Sequence, residues 1–175
     1  MKILSSRTEN MTPSLTVAID TLAKKMKAEG KDVVSLGAGE PDLNTPTAIC
    51  KAGIDAILAG KLRYTAPTGI LEVREAVSHK LMRDNHLTYN ADHIIMTSGA
   101  KHAVFNALAA LINPGDEIII PSPYWVTYPE LVKWMGGIPV FINASAENHF
   151  KITAQQLQKA ITPKTKAIIF NNPCN

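Results

Sequence analysis

Cysteine is scarce in this chain: Cys50 and Cys174 are the two present among 175 residues, far apart and in no Cys-x-x-Cys pair. Such usage supplies no disulfide framework, and the pair reads as reduced thiols of a cytosolic protein. Charge of one sign is also missing, with 18 Lys and Arg against 15 Asp and Glu, a net of +3 and no run of five like charges. Lys24, Lys25 and Lys27 form the densest basic cluster, which reads as a solvated helix face rather than a nucleic-acid patch. No apolar run approaches the roughly 18 residues of a membrane span, and the N-terminus lacks the apolar stretch and cleavage site of a secretory signal. Neither a membrane nor a nucleic-acid partner is expected, and the sequons at Asn10 and Asn143 carry no glycosylation reading. His79, His86, His93, His102 and His149 show no metal-ligand spacing, so no metal is expected. Repeats and low-complexity tracts are absent. What these absences leave is a soluble intracellular protein, long enough to bury about 70% of its unfolded surface around a core.

What is present is a regular alternation. The first dozen residues read as an arm. Ser14 caps a helix carrying Leu15, Ala18, Ile19, Leu22 and Met26 on one side and stopping at Gly30. Val33–Leu36 reads as a short strand entering the turn-rich Gly37-Ala38-Gly39-Glu40-Pro41-Asp42. A helix over 47–58 ends at Gly60. The loop Tyr64–Gly69 precedes a helix with Leu71, Val73, Val77 and Leu81 inward. Strands are then expected at 94–97, 117–120, 138–142 and 166–170. Between them lie helices bearing Val104, Phe105, Leu108, Leu111 and Ile112, a second over about 128–135, and a third opened by a Thr153/Gln156 capping box. Continuous apolar strands alternating with helices predict an α/β fold, a mostly parallel sheet sandwiched by helices. Only Asn171–Asn175 follows the last strand, so the sheet reads as cut and the chain as a truncated fragment.

Three strand ends carry candidate chemistry. Ser98-Gly99-Ala100-Lys101 joins a strand to a helix N-terminus, where backbone N–H groups and the helix dipole favour an anion. Gly99 lets a phosphate approach the backbone and Lys101 adds positive charge. Many such turns hold a small residue merely to fit. Trp125, in Pro123–Pro129, could stack on a flat ring beyond a strand's carboxyl end, or pack under its own loop. Asn171–Asn175 could donate to a ligand oxygen, or form an ordinary Asn-Pro turn. With right-handed crossovers all three share one sheet edge, and a phosphorylated, planar, oxygen-bearing ring would satisfy them together. Gly37-Ala38-Gly39 is not a dinucleotide fingerprint, since the third glycine is missing and Glu40-Pro41 cannot open the required helix.

Taken in order, these segments resemble class I aminotransferases of the aspartate aminotransferase type. Gly37–Asp42 with Thr45-Pro46 is similar to the family's opening motif, and Arg63-Tyr64-Thr65 with Gly69 and Leu71–Ala76 to its tyrosine loop and following helix. Ser98–Lys101 resembles the cofactor-phosphate turn. Asn113–Asp116 and Pro123–Pro129 match as well, and Asn172–Asn175 resembles the start of the Asn-Pro-x-Asn-Pro-x-Gly motif. The resemblance implies the large domain of fold-type I pyridoxal-phosphate enzymes, with residues 1–40 an N-terminal arm and part of the small domain and 41–175 the first portion of the cofactor-binding large domain. It implies pyridoxal 5'-phosphate as cofactor, with Gly99, Ala100 and Lys101 around the phosphate and Trp125 on the ring and near substrate. Asn175 would bond the phenolic oxygen and contact substrate, and Gly39 would present its N–H to the substrate carboxylate. Tyr64 would reach the phosphate of the neighbouring subunit, making the active form a homodimer. The resemblance also implies that Lys101 would favour an acidic substrate and that Ser14 and Thr16 would face the same side-chain pocket.

The lysine that bonds the cofactor aldehyde, the aspartate on the pyridine nitrogen and the arginine that clamps the substrate carboxylate lie beyond Asn175 in that family. The resemblance therefore implies, for the complete protein, transamination between an amino acid, aspartate first, and a 2-oxo acid such as 2-oxoglutarate, and an inactive fragment on its own. Three other readings stand beside it. One is a non-catalytic fragment acting only with a complementary chain, another is a nucleotide-binding domain, and the third is another enzyme of the same fold such as a carbon–sulfur lyase.

Overall fold

The structure is a computed structural model that describes residues 3–9, 11–37 and 39–174. In chain order the elements are α1 (Ser6–Glu9), α2 (Leu15–Ala28), α3 (Thr47–Leu58), α4 (Leu71–Asn85), α5 (Ala100–Leu111), β1 (Glu117–Ser122), α6 (Thr127–Trp134), β2 (Ile138–Asn143), α7 (Ala154–Ala160) and β3 (Thr165–Ile168). They divide into two compact units, one of Met1–Gly39 with Phe105–Asn175 and the other of Glu40–Val104.

The first unit holds the sheet. Its order is β2-β1-β3, with both pairings parallel. Ile118 faces Pro139 and Ala167, and Ile119 faces Val140 and Ile168; the register shifts between Glu117 and Ile118 on the β3 side. Successive strand side chains point to opposite faces, yet Ile118, Ile119 and Ile120 are all within 1% of complete burial. Both faces of β1 are therefore covered, which is why the strand reads as an unbroken apolar run. Each of these side chains contributes at most about 1.5–3 kcal/mol relative to exposure. Val132 of α6 is fully buried, Leu108 and Ile112 at the end of α5 are nearly so, and Ile142 is the buried residue of β2. Pro139, which has no N–H to give a ladder, lies on an outer strand.

Two caps match their sequence expectations. The Ser14 hydroxyl accepts the Val17 N–H at 3.4 Å. At α7, Thr153 Oγ1 accepts the Gln156 N–H at 3.1 Å while Gln156 Oε1 accepts the Thr153 N–H at 2.9 Å. On α2, Ala23 is the buried residue, and Leu15, Ile19 and Leu22 of the apolar stripe are each more than half exposed. The expected strand at Val33–Leu36 does not form, and Leu36 is 93% exposed. A β-strand exists only where a neighbour completes its hydrogen bonds, and among the described residues none does so there.

In the second unit, α3 spans the expected residues, and α4 packs against the 3-10 turn Ala91–His93. The strand expected at 94–97 is extended backbone without a ladder; Ile94 has φ −117° and ψ 129°. Leu71 and Val73 of α4 are exposed, while Val77 and Leu81 are half-buried. No helix among the described residues is long and apolar enough to cross a membrane.

Candidate functional site

In the unit Glu40–Val104, the extended segment Ile94–Thr97 is tied to the preceding loop by the Met96 N–H, which donates to the Thr68 carbonyl at 3.0 Å. Gly69 sits at the contact with φ +95°, and a Cβ there would stand 2.8 Å from the Met96 Cβ. Both the left-handed backbone and the close approach demand glycine. Arg74, whose side chain is 12% exposed, braces the same corner. Its Nε donates to the Gly69 carbonyl at 3.2 Å, an Nη donates to the Ala91 carbonyl at 2.8 Å, and Asp92 lies 3.5 Å away. These bonds explain an arginine that sequence alone showed only as part of a motif.

The braced segment delivers the turn Thr97–Lys101. The Gly99 N–H donates to the Thr97 carbonyl at 2.9 Å, and Thr97 Oγ1 donates to the Gly99 carbonyl at 3.0 Å. That carbonyl also receives the Ala103 N–H at 3.3 Å, which starts α5. Gly99 has φ +84°, while a Cβ on it would meet nothing within 4 Å. Glycine is thus required by the backbone and not by crowding, and the space before the turn is open. Ala100 and Lys101 occupy the first turn of α5, where the helix dipole and the ammonium favour an anion. His102 completes the turn: its Nδ1 accepts the Ser98 N–H at 3.3 Å. The sequence reading set His102 aside as one of five lone histidines; the signal that could have found it is its place at the third helical position, from which a side chain reaches back.

In the other unit, strand order turns back at β1, so that β3 lies on the side away from β2. In open α/β sheets ligands bind beyond the carboxyl ends of strands where order reverses. A cleft of about 520 Å³ lies there, lined by Ser122 at the end of β1 and Tyr124 after it, by Phe170, Asn171 and Asn172 after β3, and by Phe150. Its size suits a small-molecule site. Tyr124 stacks on Phe141, with ring centroids 5.1 Å apart and planes at 16°. Trp125 is half-buried with its ring edge-to-face on Tyr128, at 5.4 Å and 88°. It stands beside the cleft rather than in its lining, whereas the buried Tyr128 does line it.

Two cleft residues were not read as site residues from the sequence. His149 and Phe150 take φ of 52° and 55°, a left-handed pair that closes the turn after β2. The Phe150 N–H donates to the Ser145 carbonyl at 2.9 Å, and Asn148 Nδ2 donates to the Lys151 carbonyl at 2.7 Å. Glu130 is a third omission. Its Oε2 accepts the Thr12 N–H at 3.0 Å, and its Oε1 accepts from Lys133 Nζ at 2.9 Å. Burial pushes this carboxyl up, but the Thr12 N–H and Lys133 outweigh it and hold it below the usual glutamate range.

Of the other candidates, Gly39 is exposed, and a Cβ there would meet nothing within 4 Å, so the described fold itself does not demand glycine. Tyr64 is fully exposed in the loop Leu62–Thr65. Ala38 of the opening motif and Asn175 lie outside the described residues. Among the described residues no group of three or more His, Cys, Asp or Glu could hold a metal ion.

A parallel sheet flanked by helices, with a cleft at its strand ends, matches the large-domain architecture of fold-type I pyridoxal-phosphate enzymes. The chain belongs to the class I and II aminotransferase family, whose model matches residues 31–175. It is 50% identical over 174 residues to the aspartate aminotransferase of Bacillus sp. (strain YM-2), covering 99% of this chain and 44% of that protein. It is 49% identical over 175 residues to a probable aspartate/prephenate aminotransferase of Rhizobium leguminosarum bv. phaseoli, covering 100% of this chain and 44% of that protein. The aspartate aminotransferase of Thermus thermophilus solved with maleate superposes with a TM-score of 0.97 at 43% identity, covering 100% of this chain and 46% of that one. The chain spans less than half the length of the curated relatives it matches.

Proposed function

We propose that the full-length protein is a pyridoxal 5'-phosphate-dependent aminotransferase. It moves an amino group between an amino acid, aspartate first, and a 2-oxo acid such as 2-oxoglutarate, as a cytoplasmic homodimer. The observation that carries this reading is the family match over residues 31–175 together with the Gly99 turn, whose open space and positive φ fit a phosphate. Residues 1–40 serve as the N-terminal arm and part of the small domain, and 41–175 open the large domain.

Bound cofactor supplies an electron sink for the substrate's α-carbon. The chain's own residues hold and orient. Gly99, Ala100 and Lys101 surround the phosphate at the start of α5, and Tyr64 reaches the phosphate of the neighbouring subunit. Trp125 covers the ring, Asn175 bonds its phenolic oxygen, and the Gly39 N–H meets the substrate carboxylate. Lys101 also favours a substrate with a second carboxylate. The lysine that bonds the cofactor aldehyde belongs to sequence outside this chain, so the 175-residue chain alone gives neither a lysine-bound visible band nor turnover.

The test is the full-length protein titrated with pyridoxal 5'-phosphate and then with L-aspartate, following the visible spectrum and 2-oxoglutarate consumption. Absence of any aspartate-driven spectral change would reject the assignment. A second acceptor merits the same assay, because several relatives are named aspartate/prephenate aminotransferases; amino transfer to prephenate at a rate matching 2-oxoglutarate would place the protein with them.

A further inference from the structure

We infer that His102 is a positioning residue for the phosphate turn: its Nδ1 holds the Ser98 N–H and thereby fixes Gly99 and the start of α5 for a phosphate monoester. This rests on the reading of that turn as the cofactor-phosphate site. In a complete capping box, the N-cap side chain accepts a first-turn N–H while the third helical residue reaches back to the N-cap backbone. Here Ala100, Lys101 and His102 are the first three helical residues. The N-cap position is Gly99, which has no side chain with which to claim a first-turn N–H. Only the returning half exists, and it is shifted one residue back, to Ser98 at 3.3 Å.

That arrangement divides the labour of the turn. Thr97 Oγ1 and Ala103 N–H both engage the Gly99 carbonyl, which settles the acceptor side of the glycine. On the donor side, the Gly99 N–H goes to Thr97 O at 2.9 Å and the Ser98 N–H goes to His102. His102 therefore takes up a donor that would otherwise have to find water or turn toward the ligand, while leaving the glycine without the side chain that would compete for the anion. Gly99 at φ +84° occupies a conformation with no steric support of its own, since nothing stands within 4 Å of its Cβ position. The hydrogen bonds from either side are what hold it. An acceptor at position 102 is the requirement, and glutamine, the usual residue of a reaching-back cap, can provide one.

The experiment compares full-length wild type, His102→Ala and His102→Gln in equilibrium binding of pyridoxal 5'-phosphate and of unphosphorylated pyridoxal. The expected result is a loss of about fivefold in pyridoxal 5'-phosphate affinity for His102→Ala, the scale of one net hydrogen bond. Pyridoxal affinity stays unchanged, and His102→Gln stays within about twofold of wild type. A general loosening of the fold would weaken both ligands together, and that result overturns the inference. So does His102→Ala with wild-type preference for the phosphorylated ligand, or His102→Gln as weak as His102→Ala. Wild type without any preference for the phosphorylated ligand would overturn the underlying cofactor reading as well.

Discussion

Removing the Glu130 carboxylate is expected to release the N-terminal segment from α6. The Thr12 N–H reaches Glu130 Oε2 at 3.0 Å across 118 residues of sequence, and the carboxylate side chain is only 18% exposed. A hydrogen bond to a charged acceptor contributes roughly 1.5–3 kcal/mol, whereas the Lys133 pair, whose ammonium side chain is 45% exposed, adds no more than about 0.5 kcal/mol. Glu130→Ala should therefore ease local opening by about 2 kcal/mol, which is roughly a thirtyfold faster exchange of the Thr12 amide. Glu130→Gln keeps a neutral acceptor and should lose only about 1 kcal/mol, near fivefold. The pH dependence has a definite sign. Because the folded carboxyl is held below its unfolded value of about 4.3, its contribution is complete above that value. It disappears as pH falls through the lower folded one. Hydrogen exchange on the full-length protein, normalised to intrinsic rates at each pH, measures both effects. Equal Thr12 protection in wild type and Glu130→Ala at neutral pH would refute the reasoning, as would a wild-type advantage over Glu130→Gln that does not narrow as the solution is acidified.

Two further outcomes test the site and the core. Gly99→Ala places an L-residue at φ +84° without a clash, so the full-length variant should lose about 1–2 kcal/mol in urea denaturation. It should lose more in pyridoxal 5'-phosphate affinity, because the new methyl group enters the open space; unaltered affinity would contradict the phosphate assignment. Ile119→Ala, at a side chain 1% exposed, should cost about 2–5 kcal/mol. The same change at its register partner Ile168, which is 39% exposed, should cost markedly less, and equal losses would show that β1 is not the centre of the core.

Much of the architecture was legible because its causes are local. Ser14 and Thr153 announce helices through side chains that act within three residues, and the limits of α3 follow from equally short-range signals. Ile118–Ile120 announced a doubly covered strand by its unbroken apolar run. Legibility failed where the deciding partner is distant in sequence. Val33–Leu36 and Ile94–Ile95 have strand composition, but composition cannot say whether a neighbour will arrive to pair with them. The α2 stripe likewise gave the helix and not which residue is buried, since burial depends on what packs there. At the site, Gly99 was visible as a small residue at a strand–helix junction. The Tyr124–Phe141 stack joins residues of different elements, the left-handed His149–Phe150 pair has no glycine to signal it, and the Glu130 clamp on Thr12 has no pattern in sequence at all.

The interior place of β1 also governs how the sheet breathes. Fraying of β2 leaves β1 bonded to β3, and fraying of β3 leaves it bonded to β2. That redundancy covers Glu117–Ile119, whereas the end of β1 that leads to Tyr124 and Trp125 pairs with β2. Slow exchange should concentrate on the amides of Ile118 and Ile119, and the aromatic pair should follow the fluctuations of β2 more closely than those of β3.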